Sequence, residues 1–520
     1  MKVANAMRDA AGSAASHTRA PRSLVLLAAL CAAAAAIPLL YLVVRAAETG
    51  ITGVVETLQR ERVWHLVLNT LTLTAAVTLT CLVLGTIVGT GLGRLRLPGG
   101  RAWLLIAALP LAVPSYLAAY GWLVVYPGFS GFWATWLVMS AVCVPYVVLP
   151  VAAAARNAPG DLEAVARTLG RGPISAFRAA IWPSIRPAAT AGALLAALYT
   201  ISDFGAVSML RFQTLTWGIK AAYSASFDRM QAAQLALVLV VIALLVVTAE
   251  RRVRGRAPGR AHRSPLLARS RSLSIAPLLV LLLASPAAGV VVPLMGMAEQ
   301  LFSAETVRAI DGGRLLAATS MTLLLALAGG CVALLLSLPI ALLAARYPGR
   351  LAGLIESVGY TGHALPGIVV GLSLVFFSLS VMPALYQTLS MLVFAYAVLF
   401  MSKSIGAARG GLAAVPESLV EVSRTLGLSA WQVWKRVTLR IAAPALGIGA
   451  LLVGIAIMKE LPATLLLRPT GVSTLAVELW SRTGILEFGS AAPYAVALVL
   501  LAAVPTYFLV GVRNLAKEAM

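Results

Sequence analysis

The 520-residue sequence predicts an all-α polytopic membrane protein of about twelve transmembrane helices, arranged as two parallel-duplicated six-helix halves. Three observations carry that expectation. Charged residues are 12% of the chain and hydrophobic ones 60%, whereas an ordinary soluble domain carries about 25% charged residues. Apolar runs near 20 residues recur along the whole length, each long enough to cross a bilayer as a helix. The polar phrase "VARTLG" (165–170) returns 257 residues later as "VSRTLG" (422–427).

Runs such as "LALVLVVIALLVV" are apolar on every face, so they lack the alternation of a transmembrane barrel. Spans are expected at 24–44, 66–92, 102–126, 132–155, 188–209 and 230–249. The second set is expected at 275–297, 315–345, 354–380, 382–402, 443–467 and 491–511. Pro38, Pro110, Pro114, Pro145 and Pro366 fall inside these spans, which membrane helices tolerate better than soluble ones. The first apolar run is longer than a signal-peptide core and no clear cleavage site follows it, so it reads as a span preceded by a tail at 1–23. Two blocks of similar size, 24–249 and 273–520, then flank the Arg-rich stretch 250–272, which reads as a solvated linker.

A net charge of +22 would suggest nucleic acid in a soluble domain. Here the positive-inside bias accounts for it. With the N-terminus placed inside, 30 of the 41 Lys and Arg residues fall on the inner side, against only 8 of the 19 acidic ones. Both termini are then expected on the cytoplasmic side, and no nucleic acid is needed. Cys31, Cys81, Cys143 and Cys331 all lie in apolar segments without C-x-x-C spacing, so packing is expected of them rather than zinc binding or a disulfide framework.

The repeat extends beyond the polar phrase. Under the 257-residue offset Pro187 meets Pro444 and Asp203 meets Glu460, while "RLPGG" (96–100) faces "RYPGR" (346–350) at an offset of 250. Both halves present the repeated loop on the same side, so the duplication is parallel. The loops 156–187 and 409–443 each read as a helix, a Gly break, a short amphipathic helix with an aromatic, and a proline. Glu163, Arg167, Gly170 and Phe177 occupy the first; Glu421, Arg424, Gly427 and Trp434 occupy the second. Glycine ends helices because it accepts positive φ. Such a loop is either a compact knob that seats in another protein's groove or a plain turn between two spans.

With these motifs the chain resembles the type I ABC importer permeases, whose hallmark is the EAA loop. The second loop matches as Glu421-Val422-Ser423 with Gly427. The first departs, with Ala164-Val165-Ala166 and a Glu163 one position early; Arg440 replaces the downstream proline that Pro183 keeps. "ISDFGAVSML" (201–210) and "KELPATLLLRPTG" (459–471) are similar to fused, two-half permeases for ferric iron. The resemblance implies two ATPase subunits docked on the loops, a periplasmic binding protein on the outer face, and location in the bacterial inner membrane. ATP and Mg would belong to the partner subunits. No lysine here follows a glycine, so no phosphate-binding G-x-x-x-x-G-K-[ST] loop exists. The same machine could carry thiamine, an aminophosphonate, a polyamine or an oxyanion; an ATPase-independent secondary transporter or channel is the reading from another class.

Asp203 and Glu460 lie 16 residues beyond matched prolines, about 24 Å along a helix, and so deep in or near the outer ends of their spans. Carboxylates there are costly unless they face water, a partner or an ion. Two readings stay open. They could form a transient oxygen relay for Fe(III) with Tyr199, Tyr116 or Tyr120, without a stable metal site, since a hard cation favours oxygen ligands. They could instead cap helix ends or pair with Lys459 and Arg468. His363 is an isolated imidazole, for which packing is expected. No nucleophile–base constellation is present, so no catalytic residue is expected.

Overall fold

The computed structural model describes residues 20–518 apart from 49, 96, 98–99, 159, 227, 255–275 and 304–309. The expected tail at 1–23 falls almost entirely outside the described residues, as do the linker beyond Arg254, the side chain of His363, and Arg96, Pro98 and Gly99 of the "RLPGG" turn.

Every regular element among the described residues is helical. The first half runs α1 (Arg22–Ala47), α2 (Gly50–Gln59), α3 (Glu61–Arg94), α4 (Gly100–Ala108), α5 (Ser115–Val125), α6 (Gly131–Cys143) and α7 (Pro145–Arg156). It continues with α8 (Gly160–Thr168), α9 (Pro173–Ala176), α10 (Trp182–Ser202), α11 (Gly205–Met209), α12 (Leu215–Ser224) and α13 (Arg229–Arg254). The second half runs α14 (Ala276–Pro286), α15 (Val292–Leu301), α16 (Gly312–Arg346), α17 (Arg350–Gly359), α18 (Thr361–Ala364), α19 (Gly367–Val381) and α20 (Leu389–Ala413). It ends with α21 (Glu417–Thr425), α22 (Ala430–Val433), α23 (Leu439–Met458), α24 (Pro462–Leu467), α25 (Leu475–Gly484) and α26 (Phe488–Glu518).

Among the described residues eight helices are long and apolar enough to cross a membrane, or nine if one bent pair counts as a span. Several of the expected straight spans are interrupted instead. The segment 102–126 bends by 87° between Ala112 and Ser115. The segment 188–209 stops at Ser202 and resumes at Gly205, 354–380 breaks between α18 and α19, and 443–467 breaks between α23 and α24. The local causes are specific. Pro110, Pro114, Pro366 and Pro462 remove backbone donors at or beside the breaks. Asp203 and Glu460 supply side-chain acceptors for the helix that restarts after them. Irregular backbone survives at membrane depth only where such partners exist.

The described residues form two compact units. One comprises residues up to 38, 325–363 and 393–457. Its first core sets the small face of α1 (Ala28, Cys31, Ala32, Ala35) against Ile340, Ile355 and Ile405. A second core joins Ala341, Ala408, Leu412 and Ala442, with Trp434 packed against it. Small residues let these helices approach closely: a Cβ on Gly411 would lie 2.5 Å from that of Ala445.

The other unit comprises 39–324, 364–392 and 458–520. Its centre is α3, which presents Gly85, Gly89 and Gly93 at four-residue spacing to α7. A Cβ at these positions would come within 2.5 Å of Val147, 2.7 Å of the Val148 carbonyl and 2.6 Å of the Ala152 carbonyl. Helix α10 closes on the same surface, with Gly192 over the Tyr146 carbonyl. The first spanning segment of the second half, α14–α15, packs on first-half helices: Leu278 lies on Gly91 and Trp122 Nε1 donates to the Ala288 carbonyl at 2.8 Å. Cys31, Cys81 and Cys143 are buried free thiols, whereas free Cys331 is exposed on α16.

Candidate functional site

The two repeated loops have the same backbone. After α8, Gly170 adopts φ +80°, and after α21, Gly427 adopts φ +83°. In the first loop Gly170 N donates to Arg167 O at 3.0 Å and Arg171 N to Ala166 O at 3.1 Å. In the second, Gly427 N donates to Arg424 O at 2.9 Å and Leu428 N to Ser423 O at 3.2 Å. This is the paired closure that satisfies the last carbonyls of a helix. Short helices follow, α9 begun by Pro173 and α22 by a reciprocal capping box between Ser429 and Gln432. Each then widens into a single π turn, Phe177–Ile181 and Trp434–Thr438, in register at the 257-residue offset. The aromatics expected in the short helices are thus the first residues of these turns, both half-buried.

Each knob exposes a matched apolar face. Leu162, Val165, Leu169 and Ile174 are exposed in the first; their counterparts Leu419, Val422, Leu426 and Trp431 are exposed in the second. Leu169 and Leu426 are 76% and 77% accessible. Sequence reasoning picks out the charged and aromatic positions and misses these eight, although the offset that pairs Gly170 with Gly427 also pairs each of them.

Anchoring of the two loops differs. Glu163, little exposed, accepts from Arg94 at 2.7 Å through one oxygen and from Arg167 at 2.9 Å through the other. Arg346 is the equivalent last residue of α16, 252 positions after Arg94. It donates to the Val415 carbonyl at 2.9 Å and lies 3.8 Å from Glu417, whose side chain is 78% accessible. Glu421 and Arg424 are exposed on α21. Neighbouring Arg409 instead holds Glu356 at 2.6 Å.

Beyond α10, the Asp203 carboxylate takes the free N–H groups that open α11, accepting from Ala206 N at 3.0 Å and Val207 N at 3.3 Å. Ser115 Oγ donates to its other oxygen. Glu460 accepts from Ala463 N at 3.0 Å and lies against Gly367, where a Cβ would sit 2.5 Å from Oε1. Ser115 and Gly367 correspond at offset 252, each following the proline of a broken span. Asp203 therefore joins two breaks by hydrogen bonds, while Glu460 caps its own break and lies against the other. A second matched contact keeps this register on its acceptor side, Thr70 and Thr322: Leu215 N donates to Thr70 Oγ1 at 2.9 Å, and Leu475 N to Thr322 Oγ1 at 3.0 Å. The register along these helices is thus 252, and the offset of 250 applies only to the turn motif.

Tyr116 packs on Gly205, and Tyr199 lies near Tyr146 while sharing Ser115 with Asp203. Tyr120 turns elsewhere, donating to the Phe488 carbonyl at 2.7 Å. Lys459 Nζ donates to the Ala112 carbonyl at 2.6 Å, inside the 87° bend, and Arg468 donates to the Val472 carbonyl at 2.8 Å. Among the described residues no three His, Cys, Asp or Glu side chains gather to hold a metal ion.

Past Asp203, a cavity of about 330 Å³ opens between the loop at 127–130, the end of α11 and α25. Ser130, Ser208, Arg211, Trp480, Thr483 and Phe488 are among its walls. Lys220 Nζ lies 5.2 Å over the Trp480 ring. Burial, followed by the charge of Arg468, holds the Lys220 ammonium below its ordinary pKa. Nothing in the sequence marks this cavity, because its walls come from three separated segments.

Residues 337–515 match the family described as binding-protein-dependent transport system inner membrane component. Over 497 residues, 94% of this chain and 98% of the relative, the sequence is 32% identical to the Fe(3+)-transport system permease protein FbpB 2 of Haemophilus influenzae. It is 31% identical over 198 residues to the molybdate/tungstate transport system permease protein WtpB of Thermococcus kodakarensis, covering 37% of this chain and 78% of that one. A third relative is the putative 2-aminoethylphosphonate transport system permease protein PhnV of Salmonella paratyphi A, 30% identical over 166 residues, 32% of this chain and 61% of its own. An all-helical chain with many apolar spans, two matching Gly-broken loops and near full-length identity to a transport permease is a multi-pass inner membrane protein, and it belongs to the family of binding-protein-dependent transport system inner membrane components.

Proposed function

We propose that this chain is the transmembrane permease subunit of an ATP-driven importer for ferric iron, both permease halves (24–249 and 273–520) being carried in one polypeptide. The observation that carries the coupling role is the pair of matched exposed apolar faces on the Gly-broken knobs. Eight large apolar side chains exposed on two loops of matching backbone are an interaction surface, since burying them is worth about 25 cal/mol per Å². Two ATPase subunits would each take one knob in a groove, as a short amphipathic helix docks. Their closure would be transmitted as a rigid-body movement of the spans. The charge asymmetry supports knobs and both termini on the cytoplasmic side, with a periplasmic binding protein at the other face. ATP and Mg would be held by the ATPases, and no cofactor by this chain. Ferric iron as cargo is supported by the full-length relative.

In this reading Glu163, Arg167, Gly170, Phe177, Glu421, Arg424, Gly427 and Trp434 shape or present the knobs. Asp203 and Glu460, with Tyr116, Tyr120 and Tyr199 nearby or farther along the path, hold its broken spans in place. The test is radioactive Fe(III) accumulation in a deletion strain complemented with the wild type or Gly427→Asp, with and without the partner ATPase. Uptake needing both the intact loop and the ATPase is expected. Unchanged iron uptake in every strain would move the cargo to an oxyanion, aminophosphonate, thiamine or polyamine; uptake indifferent to the ATPase would point to a secondary transporter.

A further inference from the structure

The chemistry of the cavity beyond Asp203 bears on the form in which cargo is admitted. Among the described residues that wall it, Arg211 alone is charged; the others are hydroxyl-bearing, aromatic, aliphatic, glycine or the thioether Met209, and none is a carboxylate. Behind the Trp480 wall sits a second cation, Lys220, 5.2 Å over the ring, with Arg468 near enough to repel its proton. A third, Lys459, is seated on the carbonyls of the bent span. The carboxylates closest in the chain to the walls are already committed, Glu478 facing Arg314 at 3.2 Å and Arg482 at 3.3 Å. Asp203 serves two backbone N–H groups and Ser115, and Glu460 serves Ala463 N. Glu487, next to Phe488 in the chain, accepts from Ser490 at 2.8 Å and faces Arg482 at 3.8 Å. A naked trivalent cation meets repulsion from such a mouth and finds no anionic oxygen on its walls to replace its water. The space is also large for an ion, at about 330 Å³, and lies at the lower end of the range for small-molecule sites.

Resting on the ferric reading above, we propose that the outer mouth admits iron as a negatively charged complex with an oxyanion ligand, and that Arg211 is the residue that selects it. The guanidinium suits this task because it binds carboxylate and phosphate in a planar, two-pronged fashion. Ser130, Ser208 and Thr483 supply neutral donors, and Trp480 with its stacked Lys220 forms a wall that favours negative charge. The oxyanion is either an organic carboxylate or inorganic phosphate. Both share the recognised chemistry, and the experiment separates them.

The deletion strain would carry wild type, Arg211→Lys, Arg211→Asn or Arg211→Glu, with membrane abundance of each variant measured. Asn is included because Arg211 has φ +54°, a left-handed conformation that Asn tolerates. Initial uptake of 55Fe(III) would be followed with [14C]citrate in one arm and [32P]phosphate in the other, subtracting the rate of the uncomplemented strain. Iron and one of the two anions are expected to accumulate together at constant ratio. Both rates should fall at least tenfold in Arg211→Glu, fall less in Arg211→Asn, and fall least in Arg211→Lys, which keeps the charge but loses the two-pronged geometry. Iron accumulating without either anion, or at an undiminished rate in Arg211→Glu, overturns the proposal and leaves the ferric importer standing. Anion accumulating without iron, or no iron uptake by the wild type, overturns the ferric reading together with it.

Discussion

Arg94 reaches Glu163 at 2.7 Å, and that one carboxylate also holds Arg167, so the first knob is pinned to the end of the long helix α3 by a little-exposed charge pair. The second knob, of the same backbone shape, hangs from Arg346 by a carbonyl and a distant, exposed Glu417. Duplication has kept the arginine and the loop while exchanging what joins them.

The two anchors should therefore differ in cost when broken. Without Arg94 the little-exposed Glu163 keeps only the exposed Arg167, so part of the about 3 kcal/mol that stranding a buried charge costs is expected, whereas an exposed pair contributes about 0–1 kcal/mol. Arg94→Gln is expected to lower the melting temperature of the purified protein clearly more than Glu417→Gln. Equal melting curves would show that the Arg94–Glu163 pair does not secure the first knob.

Leu169 and Leu426 are the most exposed apolar residues of their knobs. Because each contributes little to internal packing, Leu169→Asp with Leu426→Asp should leave melting unchanged and abolish co-purification of the partner ATPase, each single substitution giving a partial loss. Retention of the ATPase by the double variant would place docking elsewhere.

At Gly427 nothing lies within 4 Å of the point a Cβ would occupy, so a side chain meets no obstacle and only the backbone resists. A left-handed conformation costs an L residue about 1–2 kcal/mol, least for Asn. Uptake should thus decline from Gly427→Asn to Gly427→Ala to Gly427→Val. A variant series that followed side-chain volume at this open position, with Asn no better than its size allows, would count against φ as the cause.

Gly89 faces the Val148 carbonyl and Val151 at distances no side chain can share. Overpacking of this kind costs about 1–3 kcal/mol. Gly89→Leu is expected to reduce folded protein in the membrane sharply, while Ile87→Ala, on an exposed position of the same helix, should not. Comparable yields for the two would mean α3 and α7 can separate without loss.

The Asp203 carboxylate accepts hydrogen bonds from the helix that restarts after it, which an Asn oxygen can still do and Ala cannot. Losing such a cap costs about 1 kcal/mol. Uptake by Asp203→Asn should stay near wild type and that by Asp203→Ala should fall. Equal loss in both would assign the work to the negative charge and favour the cation relay.

Much of the architecture is legible in the sequence because it depends on local properties. Whether a segment is apolar enough for lipid is a sum over its own residues, and whether Gly427 can reverse a helix depends on its own φ. The duplication is legible too, since matched loops keep matched letters. What the letters do not carry is the identity of the surfaces brought together. The glycines at 85, 89 and 93 become a meaningful stripe only with α7 lying across them. Hydropathy predicts straight spans at 102–126 and 188–209 because it adds up along a segment without regard to where the backbone turns. The bend at 112–115 and the restart at Gly205 follow from prolines and a capping carboxylate.

The medium, the helical class, the twofold repeat and the positions of the two knobs are all contained in the order of the residues. Folding in three dimensions was needed to settle that Arg94 takes Glu163 while Arg346 takes a carbonyl, and that one oxygen each of Asp203 and Glu460 caps the helix restarting after it. It was needed too for Arg211 and Trp480 to wall one cavity. The difference is one of range. Hydropathy and φ act within a few residues, whereas pairing, capping across breaks and cavities depend on groups as many as hundreds of positions apart that only packing makes neighbours.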